Sequence, residues 1–183
     1  MKRTFKYFTL VLLVVFVFII TGCNSDDPTS NFKNPKDLSI TKNKTEVSIT
    51  YDDDGTYRVN KVNKSDKVLI SSEKEFRIEL MYGTQTVKQQ KKYKKYAAND
   101  KNYNVIDNVE YGKYKGYVSI SRKYATADLF LYLDKNTVTN IRISTTKSSK
   151  VEKVLKTKEA QDVLYNRQEI QDILKTIKYK KVK

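Results

Sequence analysis

The chain has 183 residues, of which 36 are lysine or arginine and 21 are aspartate or glutamate, so its formal net charge is +15. Histidine and tryptophan are absent, and cysteine occurs once. This composition excludes Ser–His and Cys–His nucleophile pairs, histidine-containing metal clusters and an internal disulfide. We therefore expect no catalytic residues, no metal ligands and no cofactor, and a domain stabilised by an ordinary apolar core.

The segment from Met1 to Cys23 has the pattern of an export signal. Lys2, Arg3 and Lys6 make the start positive, and an unbroken apolar run extends from Leu10 to Ile20. A bilayer-spanning helix needs about 20 apolar residues, whereas this shorter run is typical of a signal peptide. Only three basic residues precede position 23, so the remainder still carries a net charge of +12.

The apolar run ends in Ile20-Thr21-Gly22-Cys23. These four residues resemble the lipobox of bacterial lipoproteins, in which an aliphatic residue and two small residues precede a cysteine. The resemblance implies that Cys23 receives a diacylglyceryl group, that residues 1–22 are removed, and that the protein is anchored to the cell membrane from the extracytoplasmic side. The alternative is an uncleaved membrane helix in which the cysteine is coincidental. A bias towards Lys, Asn, Ile and Tyr is typical of low-GC Gram-positive bacteria, and there the anchor would lie in the outer face of the cytoplasmic membrane.

Residues 24–36 have the composition of a linker. They contain both prolines of the chain, Pro28 and Pro35, and few apolar side chains. We expect residues 23–36 to form a polar tether and residues 37–183 to form one domain. A flexible coil of about 13 residues spans roughly 20 Å, which would keep the domain close to the lipid headgroups.

Alternating apolar residues predict the first strands. The alternation at 47–51 is interrupted by the DDDG sequence at 52–55 and resumes at 57–59. An Asp-Gly step between alternating runs favours a β-hairpin, so we interpret DDDG as a hydrated hairpin tip. A calcium loop is the alternative, although it would need alternating ligands and a distant glutamate. Further strands are predicted at 68–71 and 76–80.

Residues 84–98 lack a strand pattern and are rich in glutamine, lysine and alanine, which favours a helix. In this helix Val87, Tyr93 and Ala97 are the residues available to face a core.

Four more segments complete the predicted sheet. Strands are expected at 104–109 and 113–121, the second with Tyr117 on one face and Val118 on the other. Residues 127–133 are apolar on both faces, which predicts a central strand, and the run at 138–143 is its partner across a tight turn.

The C-terminal part is predicted to form two helices, at 150–164 and from Asn166 to residue 177. Asn166 is a candidate N-cap with Glu169 three residues later, and an apolar stripe follows at Ile170, Ile173, Leu174 and Ile177. We expect a basic cluster beyond this helix to fray: Lys178, Lys180, Lys181 and Lys183. The order of elements predicts an α+β fold, an antiparallel β-sheet with helices packed on it.

This order also resembles the PsbP-like α/β/α fold. The resemblance depends on residues 112–117 entering a strand, the apolar strand at 127–133 and the closing amphipathic helix. That family has no common catalytic set, so the resemblance implies no functional residue.

One run of the chain has an unusual density of lysines. Between positions 88 and 96 it holds Lys88, Lys91, Lys92, Lys94 and Lys95 together with Tyr93 and Tyr96. On a helix these cations could contact anionic lipid headgroups or a wall polyanion, with each lysine contributing about 1 kcal/mol. Nucleic acid is electrostatically possible, but an exported location argues against it. The simplest interpretation is a solvated helix face.

The tyrosines of the 111–124 segment, at 111, 114, 117 and 124, could line a ligand groove, although half-buried sheet tyrosines are the ordinary explanation. We therefore expect a membrane-anchored, non-catalytic binding or interaction module with an anionic ligand or an unidentified protein partner. The alternatives are a solute-binding lipoprotein of a transporter and a hydrolase that works without histidine.

Overall fold

The computed structural model describes residues 27–82, 86–121, 126–146 and 164–182. The predicted signal peptide, the predicted lipobox with Cys23 and most of the predicted helix at 150–164 lie outside these ranges. The described chain has an α+β fold in which antiparallel sheets dominate and an amphipathic helix lies near the C-terminus, as predicted.

The larger sheet has seven strands, and all neighbouring pairs are antiparallel. The strand after residue 126 lies inside the sheet, and Leu129, Phe130 and Leu131 are all buried, so the prediction of a strand covered on both faces is confirmed. The bounds are β3 Tyr57–Lys61, β4 Lys67–Ser71, β5 Phe76–Tyr82, β6 Tyr103–Tyr111, β7 Tyr114–Ser121, β8 Thr126–Tyr132 and β9 Val138–Thr145. Their order across the sheet is β3-β4-β5-β9-β8-β7-β6.

A second sheet of three strands has the order β1-β2-β10, with bounds β1 Pro35–Lys42, β2 Thr45–Asp52 and β10 Lys178–Lys181. The predicted fraying is therefore wrong for residues 178–181, while residue 183 lies outside the described chain. Residues 178–181 pair with Thr45–Ser48 of β2, and Lys180 forms an ion pair with Glu46 at 2.9 Å. The C-terminal residues pair with the edge of β2 that faces away from β1, because the backbone groups on that edge would otherwise be unpaired.

The two sheets also explain two corrections near residue 52. β2 and β3 belong to different sheets, so the DDDG segment is a crossing between sheets and not a hairpin tip. Hydrogen bonds from Gly55 N to Asp53 Oδ1 (3.1 Å) and from Thr56 N to Asp54 Oδ1 (3.0 Å) hold the bend. The predicted tether boundary at residue 36 falls inside β1, because Pro35 already pairs with Asp52.

Helix α1 spans Val87–Asn99 and was predicted at 84–98. Thr86 and Gln89 form a capping box, with Gln89 N donating to Thr86 Oγ1 at 3.3 Å and Thr86 N donating to Gln89 Oε1 at 2.8 Å. Ala97 is buried as expected, and Val87 and Tyr93 are half-buried against the sheet. Gln90 is also buried.

Helix α2 spans Gln168–Lys175, so its N-cap lies one residue after the predicted cap at Asn166. Arg167 occupies the N-cap position without a side-chain cap, and its guanidinium instead donates to the Lys74 carbonyl at 2.6 Å. The helix start is therefore fixed by a tertiary contact and not by a local capping residue.

The main core lies between one face of the seven-stranded sheet, the small sheet and α2. It includes Leu38, Ile49, Ile78, Leu129 and Ile173, each at most 2% exposed. A smaller cluster on the opposite face is made by Tyr117, Phe130 and Val138 under α1.

The seven-stranded sheet is curved around α2. Tyr57 on edge strand β3 donates to Glu169 at 2.8 Å, and Tyr111 on the other edge strand, β6, donates to Gln171 at 2.9 Å. Because these partners are two residues apart, α2 connects the two edges of the sheet.

Candidate anion-binding groove

An open groove of about 610 Å³ lies between α1 and strands β6, β7 and β8. Four lysines contribute to its lining, against two carboxylates. The lining residues are Lys91, Lys94, Lys95, Ala98, Asp107, Asn108, Glu110, Lys115, Gly116 and Tyr132.

The helix supplies three of these lysines because of its periodicity. Lys91, Lys94 and Lys95 are spaced i, i+3 and i+4, and side chains at this spacing lie on one face of a helix. Lys88 and Lys92 are exposed and do not line the groove. The lysines singled out in the sequence are thus divided between a groove face and a solvent face.

Buried contacts hold α1 on the sheet beneath this face. The hydroxyl of Tyr117, which is fully buried, donates to Gln90 Oε1 at 2.8 Å. The Tyr93 ring packs edge-on against Phe130, with ring centroids 5.8 Å apart, and burial raises the pKa of Tyr93 to about 12. Tyr93 is therefore a neutral packing residue at physiological pH.

Two of the groove lysines are already paired. Lys94 contacts Asp107, and a hydrogen bond from Lys94 lowers the pKa of that carboxyl. Lys115 contacts Glu110 at 2.9 Å, and this hydrogen bond raises the pKa of Lys115. Lys91 and Lys95 form no ion pair with any described residue, so the groove keeps two uncompensated ammonium groups.

Gly116 lets the backbone of β7 lie close to β8 at the groove floor. A Cβ at this position would be 1.9 Å from the Phe130 carbonyl oxygen. On the neighbouring strand, Asn108 has a φ of 56° at the irregularity between Asp107 and Val109. This bulge places Asp107, Asn108 and Glu110 along the same groove wall.

The structure separates the other residues singled out in the sequence. Tyr96 is 66% exposed and lies outside the groove. Tyr111 and Tyr114 belong to the main core, whereas Tyr117 packs under α1, so these three do not line a common groove. Tyr124 lies outside the described residues. The three described tyrosines are sheet residues, as the ordinary explanation held, but they are buried and not half-buried.

Sequence reasoning missed the strand residues of the groove, above all Lys115 and Tyr132. Strand alternation places Lys115 and Tyr117 on one face of β7, which is a usable signal. The sequence does not predict where α1 crosses the sheet, because the helix has few apolar residues that could determine its position.

The calcium alternative finds no support in the carboxylates at 52–54. Asp53 contacts Lys36, Asp54 contacts Lys74 at 2.8 Å, and Asp52 accepts the Asn34 N–H at 2.7 Å. Within the ranges given above, no group of three or more acidic or cysteine side chains could hold a metal ion.

Comparison with protein-family models, with curated protein sequences and with solved structures gave no significant match. The resemblances to the lipobox and to the PsbP-like fold therefore stay predictions. Among the helices of the described chain, none has the length and apolar character needed to cross a bilayer.

Proposed function

We propose that the protein is an exported lipoprotein, anchored to the outer face of the cytoplasmic membrane through a diacylglyceryl group on Cys23. Its domain acts as a non-catalytic module that binds a multivalent anion in the groove beside α1. Phosphate groups are the ligand chemistry, whether they belong to lipid headgroups or to a wall polymer. The anchoring part depends on the short apolar run and the Ile20–Cys23 sequence.

The observation that carries the binding part is the pair of uncompensated lysines, Lys91 and Lys95. They lie beside the ion pairs Lys94–Asp107 and Lys115–Glu110, so the four lysines and two carboxylates of the lining give it a net charge of +2. Tyr132 adds a half-buried aromatic side chain with a polar tip to the same lining. A concave surface concentrates this potential and favours a ligand with several negative charges.

Two variants of equal charge test the groove. Lys91→Gln/Lys95→Gln removes both uncompensated groove cations, and Lys88→Gln/Lys92→Gln removes two cations from the solvent face of the same helix. At about 1 kcal/mol per lysine, we expect the groove variant to bind fluorescent polyphosphate about thirtyfold more weakly. The solvent-face variant should change the affinity by less than about threefold. Fluorescence anisotropy of the full-length lipidated protein in phosphatidylcholine nanodiscs measures both.

Equal losses in the two variants would contradict the groove and favour a diffuse charge effect. Binding should also weaken steeply as salt is raised, because the groove is open to solvent. The anchor is tested separately by mass spectrometry of protein from the native membrane. The expected mass is that of residues 23–183 with a diacylglyceryl group. An unmodified Cys23 would contradict the proposed anchor.

A further inference from the structure

The two sheets of the described chain have four edge strands, and three of these edges carry features that hinder the addition of another strand. Strand β1 begins with Pro35, which has no N–H to donate. The outer N–H of Tyr179 in β10 donates to the Tyr114 hydroxyl at 3.2 Å. Strand β6 is irregular at Asn108, where its register with β7 shifts. Strand β3 has none of these features among the described residues.

Half of the backbone groups of β3 face away from the sheet. Val62 N donates to the Asp66 carbonyl at 3.0 Å at the end of the β3–β4 ladder. Hydrogen-bonded positions alternate along an antiparallel strand, so the even-numbered residues of β3 bond to β4. The N–H and C=O groups of the odd-numbered residues point outwards, and their N–H groups have no partner in the described chain: Tyr57, Val59 and Lys61. An extended peptide can pair with such groups and add a strand.

The side chain of Val59 ends an apolar row that crosses the seven-stranded sheet. In order of pairing, the row consists of Val59, Leu69, Ile78 and Ile143. The three inner side chains are fully buried, whereas Val59 is 45% exposed. An apolar side chain on an added strand would continue this row and cover Val59.

The charges at this edge are mostly positive. Lys61 lies directly opposite Lys67 on β4, and a like-charge pair in this position destabilises the two strands. The carboxylate of Asp66 accepts a hydrogen bond from the Asn63 side chain at 2.5 Å. Three cations are exposed and form no ion pair with a described residue: Arg58, Lys61 and Lys64. Such charges disfavour pairing with a second copy of a basic chain and favour an acidic strand.

We infer that the free edge of β3 binds an extended, acidic segment of a partner protein, which adds a strand to the seven-stranded sheet. The segment has an apolar side chain opposite Val59 and carboxylates opposite Arg58 and Lys61. Main-chain hydrogen bonds give this mode of binding its affinity, and the side chains give it specificity. The groove lies at strands β6 to β8, on the other side of the sheet order, so this inference does not depend on the proposed anion ligand.

The first test uses synthetic peptides and the full-length lipidated protein in phosphatidylcholine nanodiscs. The probe is fluorescein-labelled Val-Glu-Thr-Val-Glu-Thr. Paired antiparallel, it places its first glutamate opposite Lys61, its second valine opposite Val59 and its second glutamate opposite Arg58. A matched peptide with lysine in place of both glutamates should bind at least about tenfold more weakly in fluorescence anisotropy.

The second test examines the backbone of the peptide. In this register the N–H of the second valine donates to the Val59 carbonyl, whereas the N–H of the second glutamate faces solvent. N-methylation of that valine should weaken binding at least about tenfold, and N-methylation of that glutamate should change it by less than about threefold. Equal losses from the two N-methyl groups would overturn the inference, because a purely electrostatic contact does not distinguish the two edges of the peptide.

The third test changes the protein. Val59→Pro removes an outward N–H without breaking a bond to β4, so the melting temperature should stay close to that of the wild type, while binding falls at least about tenfold. Val59→Thr keeps the N–H and should bind within about threefold of the wild type. Arg58→Gln/Lys61→Gln should weaken binding about fivefold, whereas Lys33→Gln/Lys101→Gln, which removes two exposed charges elsewhere, should stay within about twofold. Unchanged binding by Val59→Pro would contradict the inference.

The groove variant separates the two proposals. Lys91→Gln/Lys95→Gln should bind the acidic peptide within about twofold of the wild type, whatever its effect on polyphosphate. If this variant loses as much peptide affinity as Val59→Pro, the peptide lies in the groove and the inference is wrong. Mass photometry of the detergent-solubilised protein tests the other occupant: a dimer that Val59→Pro abolishes would replace the partner segment with a second copy of this chain.

Discussion

Gly116→Ala is the sharpest test of the packing beneath the groove. A Cβ on Gly116 would lie 1.9 Å from the Phe130 carbonyl oxygen and 2.9 Å from its carbonyl carbon. Ordinary contact begins near 3.4 Å, so β7 and β8 would have to separate locally until the Cβ reached that distance from the oxygen. The obstacle is backbone, which cannot rotate away as a flexible side chain could.

The distance by which β7 and β8 must separate determines how much stability Gly116→Ala loses. A ladder hydrogen bond with an ordinary N···O distance of about 2.9 Å is lost when the strands move apart this far. Losing two ladder bonds costs about 2 kcal/mol, and overpacking adds about 1–3 kcal/mol. We expect the free energy of unfolding to fall by about 3–5 kcal/mol and the melting temperature to fall by roughly 10–15 °C.

Urea unfolding followed by far-UV circular dichroism measures this change. Gly112→Ala in the same hairpin is the matched control. Gly112 has a φ of 58° but no atom within 4 Å of an added Cβ, so the substitution should cost only about 1 kcal/mol of backbone strain. If Gly116→Ala were no more destabilising than Gly112→Ala, the close approach of β7 to β8 would be wrong.

Three further outcomes are expected. Thr176→Val removes the buried hydroxyl that accepts the Thr50 N–H at 2.6 Å and should cost about 1–3 kcal/mol in thermal unfolding, whereas Thr41→Val at the surface should stay within about 0.5 kcal/mol. Tyr117→Phe removes the hydroxyl that anchors Gln90 of α1 and should cost about 1 kcal/mol, with increased hydrogen exchange in α1 but not in α2. Stability should be flat from about pH 5 to pH 9, because the chain has no histidine, and should fall on both sides of this range. Acid removes stability because hydrogen bonds hold the pKa of five described carboxyls below their usual value, and this contribution is lost as the pH falls below about 4: Asp27, Asp53, Asp54, Asp107 and Asp134. Base removes stability above about pH 10, because burial raises the pKa of four core tyrosines and the unfolded chain ionises first: Tyr51, Tyr111, Tyr117 and Tyr165. A melting-temperature profile with a step between about pH 6 and 8 would contradict this assignment.

The sequence predicts the local elements of this fold well, because periodicity records which side chains are buried. The alternation in β5 and the doubly apolar β8 identify strands directly, and α1 follows from its composition. The amphipathic stripe of α2 is also visible, with Ile170, Ile173 and Leu174 all buried.

Pairing between distant segments is where sequence reasoning fails. Nothing in the sequence Lys178–Lys181 predicts a strand, because its pairing depends on the free edge of β2, which lies near the other end of the domain sequence. The sequence also does not show that β2 and β3 belong to different sheets, because an Asp-Gly bend is compatible with a hairpin and with a crossing between sheets. The groove is therefore only half predictable: its helix lysines appear as a cluster, and its strand residues do not.

The small sheet combines β1 and β2, the first two strands of the described chain, with β10, its last strand. Its assembly therefore depends on segments that are synthesised at the beginning and at the end of translation. An exported protein of this topology must bring Lys178–Lys181 across the membrane before β2 gains its second neighbour. Until then β2 presents an open edge, which is a template for pairing with other chains. With export as proposed, completion of the fold is coupled to completion of export, and a nascent chain lacking residues 178–183 would be the species most prone to aggregation.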